Sequence, residues 1–136
     1  IPGIKYRDYN QPWMDQMSTF VKAIAEVARP FLAKNGGPII LAQIENEYGG
    51  SHEYVEWCGQ LAQSLDFEVP WMMCNGASAS TTINAYNGND GARDYAENHE
   101  KSWPQDPLTW TENEGWFEQW GVEPHTTWDD RTPEDM

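Results

Sequence analysis

Positive charge is short in this sequence: eight Lys and Arg stand against 22 Asp and Glu, for a formal net charge of −14. Such a surface repels phosphate backbones and anionic lipid, which argues against nucleic-acid and membrane-surface binding. No run of about 18 apolar residues occurs, so nothing reads as a membrane span or membrane insertion. Cysteine is scarce. Cys58 and Cys74 make neither a disulfide framework nor a metal site, although pairing with one another stays open. Asn-x-Ser/Thr acceptors are absent, which leaves the compartment open. The opening residues, Ile1 to Asn10, carry neither a signal peptide nor a transit pattern. They do not start with Met, so the chain reads as a piece or a processed product of a longer protein.

Several chemistries lack their residues. There is no Gly-rich phosphate loop, no Ser/His/Asp arrangement and no Cys–His pairing. An Asp-x-Asp-x-Asp-Gly calcium loop is missing, and Asn89-Asp90-Gly91 is a weak substitute. His52, His99 and His125 show no ligand spacing and read as surface residues. No metal and no cofactor is expected.

Aromatics, by contrast, are plentiful: eight Trp, six Tyr and four Phe. Disordered acidic chains are poor in such residues, so a folded protein is expected. The plainer reading of the Trp residues is core packing. The other is a flat platform against the apolar face of a sugar ring. At 136 residues the chain is one domain, with enough length for a core but not for a closed eight-stranded α/β barrel of about 250 residues.

Periodicity supplies the elements. A helix is predicted from near Asn10, with Pro12 in its first turn, where a missing N–H is harmless. Trp13, Met17, Phe20, Val21, Ile24, Val27, Ala28 and Phe31 give it an apolar face to about residue 34, with Pro30 kinking or ending it and Asn35-Gly36-Gly37 as the stop. Residues 38–44, PIILAQI, are a nearly continuous apolar run and predict a strand buried on both faces. It runs into Glu45-Asn46-Glu47. A second helix follows a Ser51 cap to Leu65, then a buried strand over 69–74 ending in Asn75-Gly76. A short strand over 81–86, a helix over 92–101 and a strand over 108–111 complete the pattern, the last running into Glu112-Asn113-Glu114. This alternation implies an α/β fold with a parallel sheet.

Active sites of parallel α/β folds lie at the carboxyl ends of the strands. Glu47 and Glu112 both occupy such ends, and two carboxylates are what glycosidic cleavage requires: one protonated, one ionised. Trp110, Trp116 and Trp120 would supply the sugar platform. The plainer alternative is that these Glu residues cap helices or are solvated, and Glu45 has no assigned partner.

Gly36-Gly37-Pro38-Ile39-Ile40-Leu41-Ala42-Gln43-Ile44-Glu45-Asn46-Glu47-Tyr48-Gly49 resembles the signature of glycoside hydrolase family 35, the retaining β-galactosidases. Ile1-Pro2-Gly3-Ile4 with Tyr6-Arg7, Val69-Pro70-Trp71-Met72-Met73-Cys74, Asn87-Gly88, and Trp110-Thr111-Glu112 with Gly115-Trp116-Phe117 resemble further family blocks in the right order. The resemblance covers residues 1–121 and implies part of a (β/α)8 TIM barrel, about strands four to seven, with helices outside. Residues 122–136 read as an acidic, Pro-containing tail. By the same resemblance Glu47 is the acid/base, Glu112 the nucleophile, Asn46 a hydrogen-bonding partner of the sugar 2-hydroxyl, and Trp116 an aromatic flanking the galactose.

The segment Asn113-Glu114-Gly115 is shorter than the family pattern and holds a second acid, which leaves Glu114 as an outside candidate. The implied substrate is a terminal non-reducing β-galactoside, cleaved with retention, which needs the carboxyls roughly 5–5.5 Å apart. The family implies a secreted, cell-wall or lysosomal/vacuolar location. The early strands that normally bring further galactose ligands are missing, so an inactive fragment that only binds sugar or a complementary chain is the rival reading. Oligomeric state is not legible.

Overall fold

A computed structural model describes residues 1–88 and 92–112. Trp116, Glu114, Trp120, His125 and the 122–136 tail lie outside the described residues. The elements are α1 (Gln11–Ala28), β1 (Ala42–Tyr48), α2 (His52–Gln63), β2 (Trp71–Gly76), β3 (Ile83–Asn87), α3 (Ala92–Ser102) and β4 (Thr109–Glu112). The strands take the order of the chain, β1-β2-β3-β4, in a four-stranded sheet. The β1–β2 and β3–β4 ladders are both parallel, and a helix lies between the two strands of each pair in sequence. That is the crossover a parallel pair requires. The α/β class read from the sequence is therefore the observed one.

By density of contacts the chain forms two units, Ile1–Asn84 and Ala85–Met136. In the first, Leu32, Ile44, Tyr54, Val55, Cys58, Leu61, Leu65, Phe67, Trp71 and Met73 make one buried cluster. Trp13, Met17, Val21 and Ala28 pack on it from α1. The apolar periodicity predicts the helix itself but overstates its length and its buried face. Phe20, Ile24, Val27 and Phe31 are more than half exposed, because only the stripe through Met14 and Ala25 faces the core. α1 also ends at Ala28, and Pro30 sits in a separate 3₁₀ turn, Arg29–Phe31. A second turn, Ala33–Asn35, is closed by Gly36 at φ 81°, a left-handed conformation that favours glycine. Gly37 follows for a different reason: a Cβ there would lie 2.0 Å from the Phe31 carbonyl oxygen.

The predicted strand over 38–44 is displaced. β1 begins only at Ala42 and continues through the polar Glu45-Asn46-Glu47, while Ile40 is 71% exposed. The physical reason is position: β1 is at the end of the strand order, so its apolar approach lacks a second neighbouring strand. Residues 69–70 likewise precede β2 rather than belong to it. α2 begins as predicted. The Ser51 hydroxyl accepts from the Tyr54 N–H at 3.3 Å and caps the first turn.

In the second unit the expected surface character of His99 is overturned. His99 is 3% exposed, wedged on α3 between the rings of Tyr95 and Trp103. An imidazole at helical spacing from two aromatics is covered by them, which its sequence neighbours alone did not reveal. Among the described residues Trp71 is buried in the core and Trp110 is partly exposed. No helix of the described residues is long and apolar enough to cross a membrane, and no group of three or more His, Cys, Asp or Glu among them is placed to hold a metal ion. Cys58 and Cys74 are both buried and are not joined in a disulfide.

Candidate active site

The carboxyl end of β1 departs from regular strand geometry. Gln43 pairs with Met72 and Asn46 with Cys74, so β1 spends three residue steps where β2 spends two. This is a β-bulge, a device that re-aims the side chains that follow it. Glu45 and Glu47 take φ of 62° and 53°, and Asn75 at the end of β2 takes 50°. Non-glycine residues at positive φ are uncommon and each costs about 1–2 kcal/mol. Three of them at neighbouring strand ends mark a backbone held in place by its surroundings.

Glu45 supplies much of that hold. Its side chain is 8% exposed, and Ile44 beside it is buried too, a pairing that regular strand alternation would not produce. Glu45 Oε1 accepts from Arg7 Nε at 3.1 Å, from Arg7 Nη2 at 2.7 Å and from the Asn46 backbone N–H at 2.9 Å. Glu45 Oε2 accepts the Tyr54 hydroxyl proton at 2.8 Å. Arg7 Nη2 also donates to the Asn46 carbonyl, and the guanidinium lies 5.2 Å from the centroid of the Tyr48 ring. The hydrogen bond that Arg7 donates to Glu45 raises the Arg7 pKa above its ordinary value. Burial holds the Tyr54 phenol well above its usual range, so it stays a donor.

Asn46 is tethered through its side chain as well. Gln43 Nε2 donates to Asn46 Oδ1 at 3.0 Å, and the Cys74 thiol donates to the same oxygen. Glu47 is exposed and lines a cleft of about 380 Å³ with Tyr48, Gly49, Asn75 and Gly76. A depression of about 410 Å³ in the second unit is lined by α3 and the segment after it, His99 and Trp103 included, and by neither predicted acid. In that unit Glu112 is the last residue of β4, paired with Asn87. Its carbonyl accepts from the Gly88 N–H at 2.9 Å and from the Trp110 indole at 2.6 Å.

The sequence profile of the glycosyl hydrolases family 35 matches residues 1–135. The chain belongs to glycoside hydrolase family 35. It is 43% identical over 130 residues to probable beta-galactosidase 2 of Dictyostelium discoideum, covering 89% of this chain and 17% of that protein. It is 37% identical over 138 residues to beta-galactosidase 10 of Arabidopsis thaliana, covering 92% and 18%. Beta-galactosidase 8 of Arabidopsis thaliana is 38% identical over 129 residues, covering 86% and 15%. The family 35 chain thus spans less than a fifth of the length of these relatives.

Family membership agrees with the resemblance read from the sequence. Asn46 and Glu47 fall at the bulged end of β1, and Glu112 at the end of β4. The shell behind Asn46 and Glu47 is not legible in the sequence: Arg7 shows only as part of a matching block, Glu45 has no assigned partner, and Gln43, Tyr54 and Cys74 carry no polar pattern. The single available signal was an acid, Glu45, in a segment whose neighbours on one side are apolar.

Proposed function

We propose that this family 35 chain carries the two acids of a retaining glycoside hydrolase that cleaves terminal non-reducing β-D-galactosyl residues. Glu112 attacks the anomeric carbon while Glu47 gives its proton to the departing glycosidic oxygen, leaving a covalent galactosyl ester on Glu112. Glu47, now a carboxylate, takes a proton from water as that water attacks the same carbon, and the Glu112 carboxylate is released. Asn46 holds the 2-hydroxyl, a contact that strengthens in the transition state, and Trp116 flanks the sugar. The four strands correspond in this reading to strands four to seven of a (β/α)8 barrel. A location outside the cytosol or in a vacuole belongs to the same proposal.

One observation carries the reading: the family match over residues 1–135, in a chain whose Asn46-Glu47 and Glu112 end parallel strands. Release of nitrophenol from a nitrophenyl β-D-galactoside by the purified chain tests it, with Glu47→Gln as control. Turnover that the substitution abolishes supports the reading. Mass spectrometry after reaction with a 2-fluoro-galactosyl donor should then find the sugar on the peptide containing Glu112. A label on Glu114 would move the nucleophile by two residues.

A second reading has the chain binding sugar without turning it over, alone or with a complementary chain. It is favoured by the small share of each relative that the chain covers. Galactose binding by titration calorimetry with no nitrophenol release would favour it.

A further inference from the structure

The bulge that ends β1 has a counterpart in the hydrogen bonding around it. A left-handed residue on each side of Asn46 would relax to ordinary strand if nothing opposed it, because both φ values are unfavourable for L-residues. Relaxation would also rotate the following side chains to the other face of the sheet, since the side-chain period in a strand is two. Something must therefore favour the bulged form by more than the strain.

The groups around Asn46 do so. Glu45 accepts from Asn46 N–H, and Arg7 donates to Asn46 C=O, so the peptide groups on both sides of the Asn46 Cα are held by one ion pair. Arg7 reaches that position from the segment before α1, 38 residues earlier in the chain. Its own φ is 51°, so the segment presenting the guanidinium is itself bent. Tyr54, fully buried on α2, holds the second carboxylate oxygen, and the Trp13 indole donates to the Tyr54 oxygen at 3.2 Å. The carboxylate is thus gripped from three separate segments. A largely buried carboxylate is stable only with such compensation.

We infer that Arg7 and Glu45, backed by Tyr54, form a clamp that sets the backbone of Asn46 and thereby aims the Glu47 side chain that follows it for proton transfer. The inference rests on the proposed role of Glu47. Arg7 and Glu45 are positioning residues, acting through their neighbours. Charge-assisted bonds suit this task because they are shorter and stronger than neutral ones and, in the case of guanidinium, directional. Small displacements matter: about 1 Å at a reacting group costs about 100-fold in rate.

The test is a comparison of leaving groups. Protonation by Glu47 matters for phenyl β-galactoside, whose leaving group is basic, and hardly matters for 2,4-dinitrophenyl β-galactoside, which departs unaided. Arg7→Met keeps the packing stem and removes the fork; its side chain is 45% exposed, so the fold should tolerate it. Glu45→Gln keeps the shape and removes the charge. Each should lower kcat/KM for the phenyl substrate by about 10–100-fold, and for the dinitrophenyl substrate by clearly less. The double variant should lose little more than either single one. Equal losses on both substrates, or none on either, overturn the inference.

Amide hydrogen exchange gives a second readout that does not depend on turnover. Exchange at Asn46 should quicken in Arg7→Met while amides of α2 keep their wild-type rates. Unchanged exchange at Asn46 overturns the clamp even if activity falls. A wild-type chain without turnover overturns the hydrolase reading of the chain itself, and the exchange result then decides the clamp alone.

Discussion

Cys58 lies fully buried on α2, inside the first unit's core. Burial pushes its thiol pKa up to about 12, against an ordinary value near 9. The folded chain therefore keeps a proton that the unfolded chain loses first as pH rises. Its contribution to stability is complete below about pH 9 and fades as pH climbs toward about 12. Tyr54 is shifted in the same direction for the same reason and adds to the alkaline loss. Thermal melts from pH 8 to 11 should show a falling midpoint, with a shallower fall in Cys58→Ala; parallel slopes would contradict the assignment. Leu32 is also fully buried, and Leu32→Ala should cost about 2–5 kcal/mol in urea unfolding, the range for a core cavity.

At the scale of elements, α2 depends on two short-range features. Ser51→Ala removes the oxygen that satisfies the Tyr54 N–H and should cost about 1 kcal/mol. Gly59 faces the opposite constraint. A Cβ there would approach the Ala79 Cβ to 2.5 Å and the Thr81 Oγ1 to 2.6 Å. Gly59→Ala gains about 1 kcal/mol of helix propensity, but overpacking costs about 1–3 kcal/mol, so the net effect should be destabilising. A midpoint at or above wild type would show that the 79–81 segment yields instead. The helices themselves were legible because capping and 3.6-residue periodicity are local. The extent of β1 was not, because whether residues 38–41 pair depends on a neighbouring strand and not on their own apolar character.

For the whole molecule the governing quantity is charge. At −14 the chain repels itself and its copies near neutral pH, while α1 exposes the apolar Phe20, Ile24 and Val27, and the turn after it Phe31. Repulsion vanishes near the sequence pI of about 4.3. Light scattering should therefore rise as pH falls toward that value, and Val27→Lys with Phe20→Lys should reduce the rise at matched net charge. Scattering that the two substitutions leave unchanged would place the association elsewhere on the molecule. The same scale bears on activity. The chain spans less than a fifth of each relative, so the nitrophenyl galactoside assay reads whether these residues turn over sugar by themselves.

The order of helices and strands, the family and the position of Asn46, Glu47 and Glu112 near strand ends were all written in the sequence. Each depends on periodicity, capping or a contiguous run of residues, which one stretch of chain can carry. Tertiary structure alone decided that β1 is bulged, that the Glu45 side chain is largely covered, and that Arg7 and Tyr54 are its partners. It also decided that His99 lies under Tyr95 and Trp103 rather than in water. For Glu45 the reason is that a carboxylate goes inside only where distant groups can satisfy it, and the distance in sequence from Arg7 to Glu45 is beyond the reach of any local pattern. His99 is covered instead by aromatic rings one helical turn to either side of it.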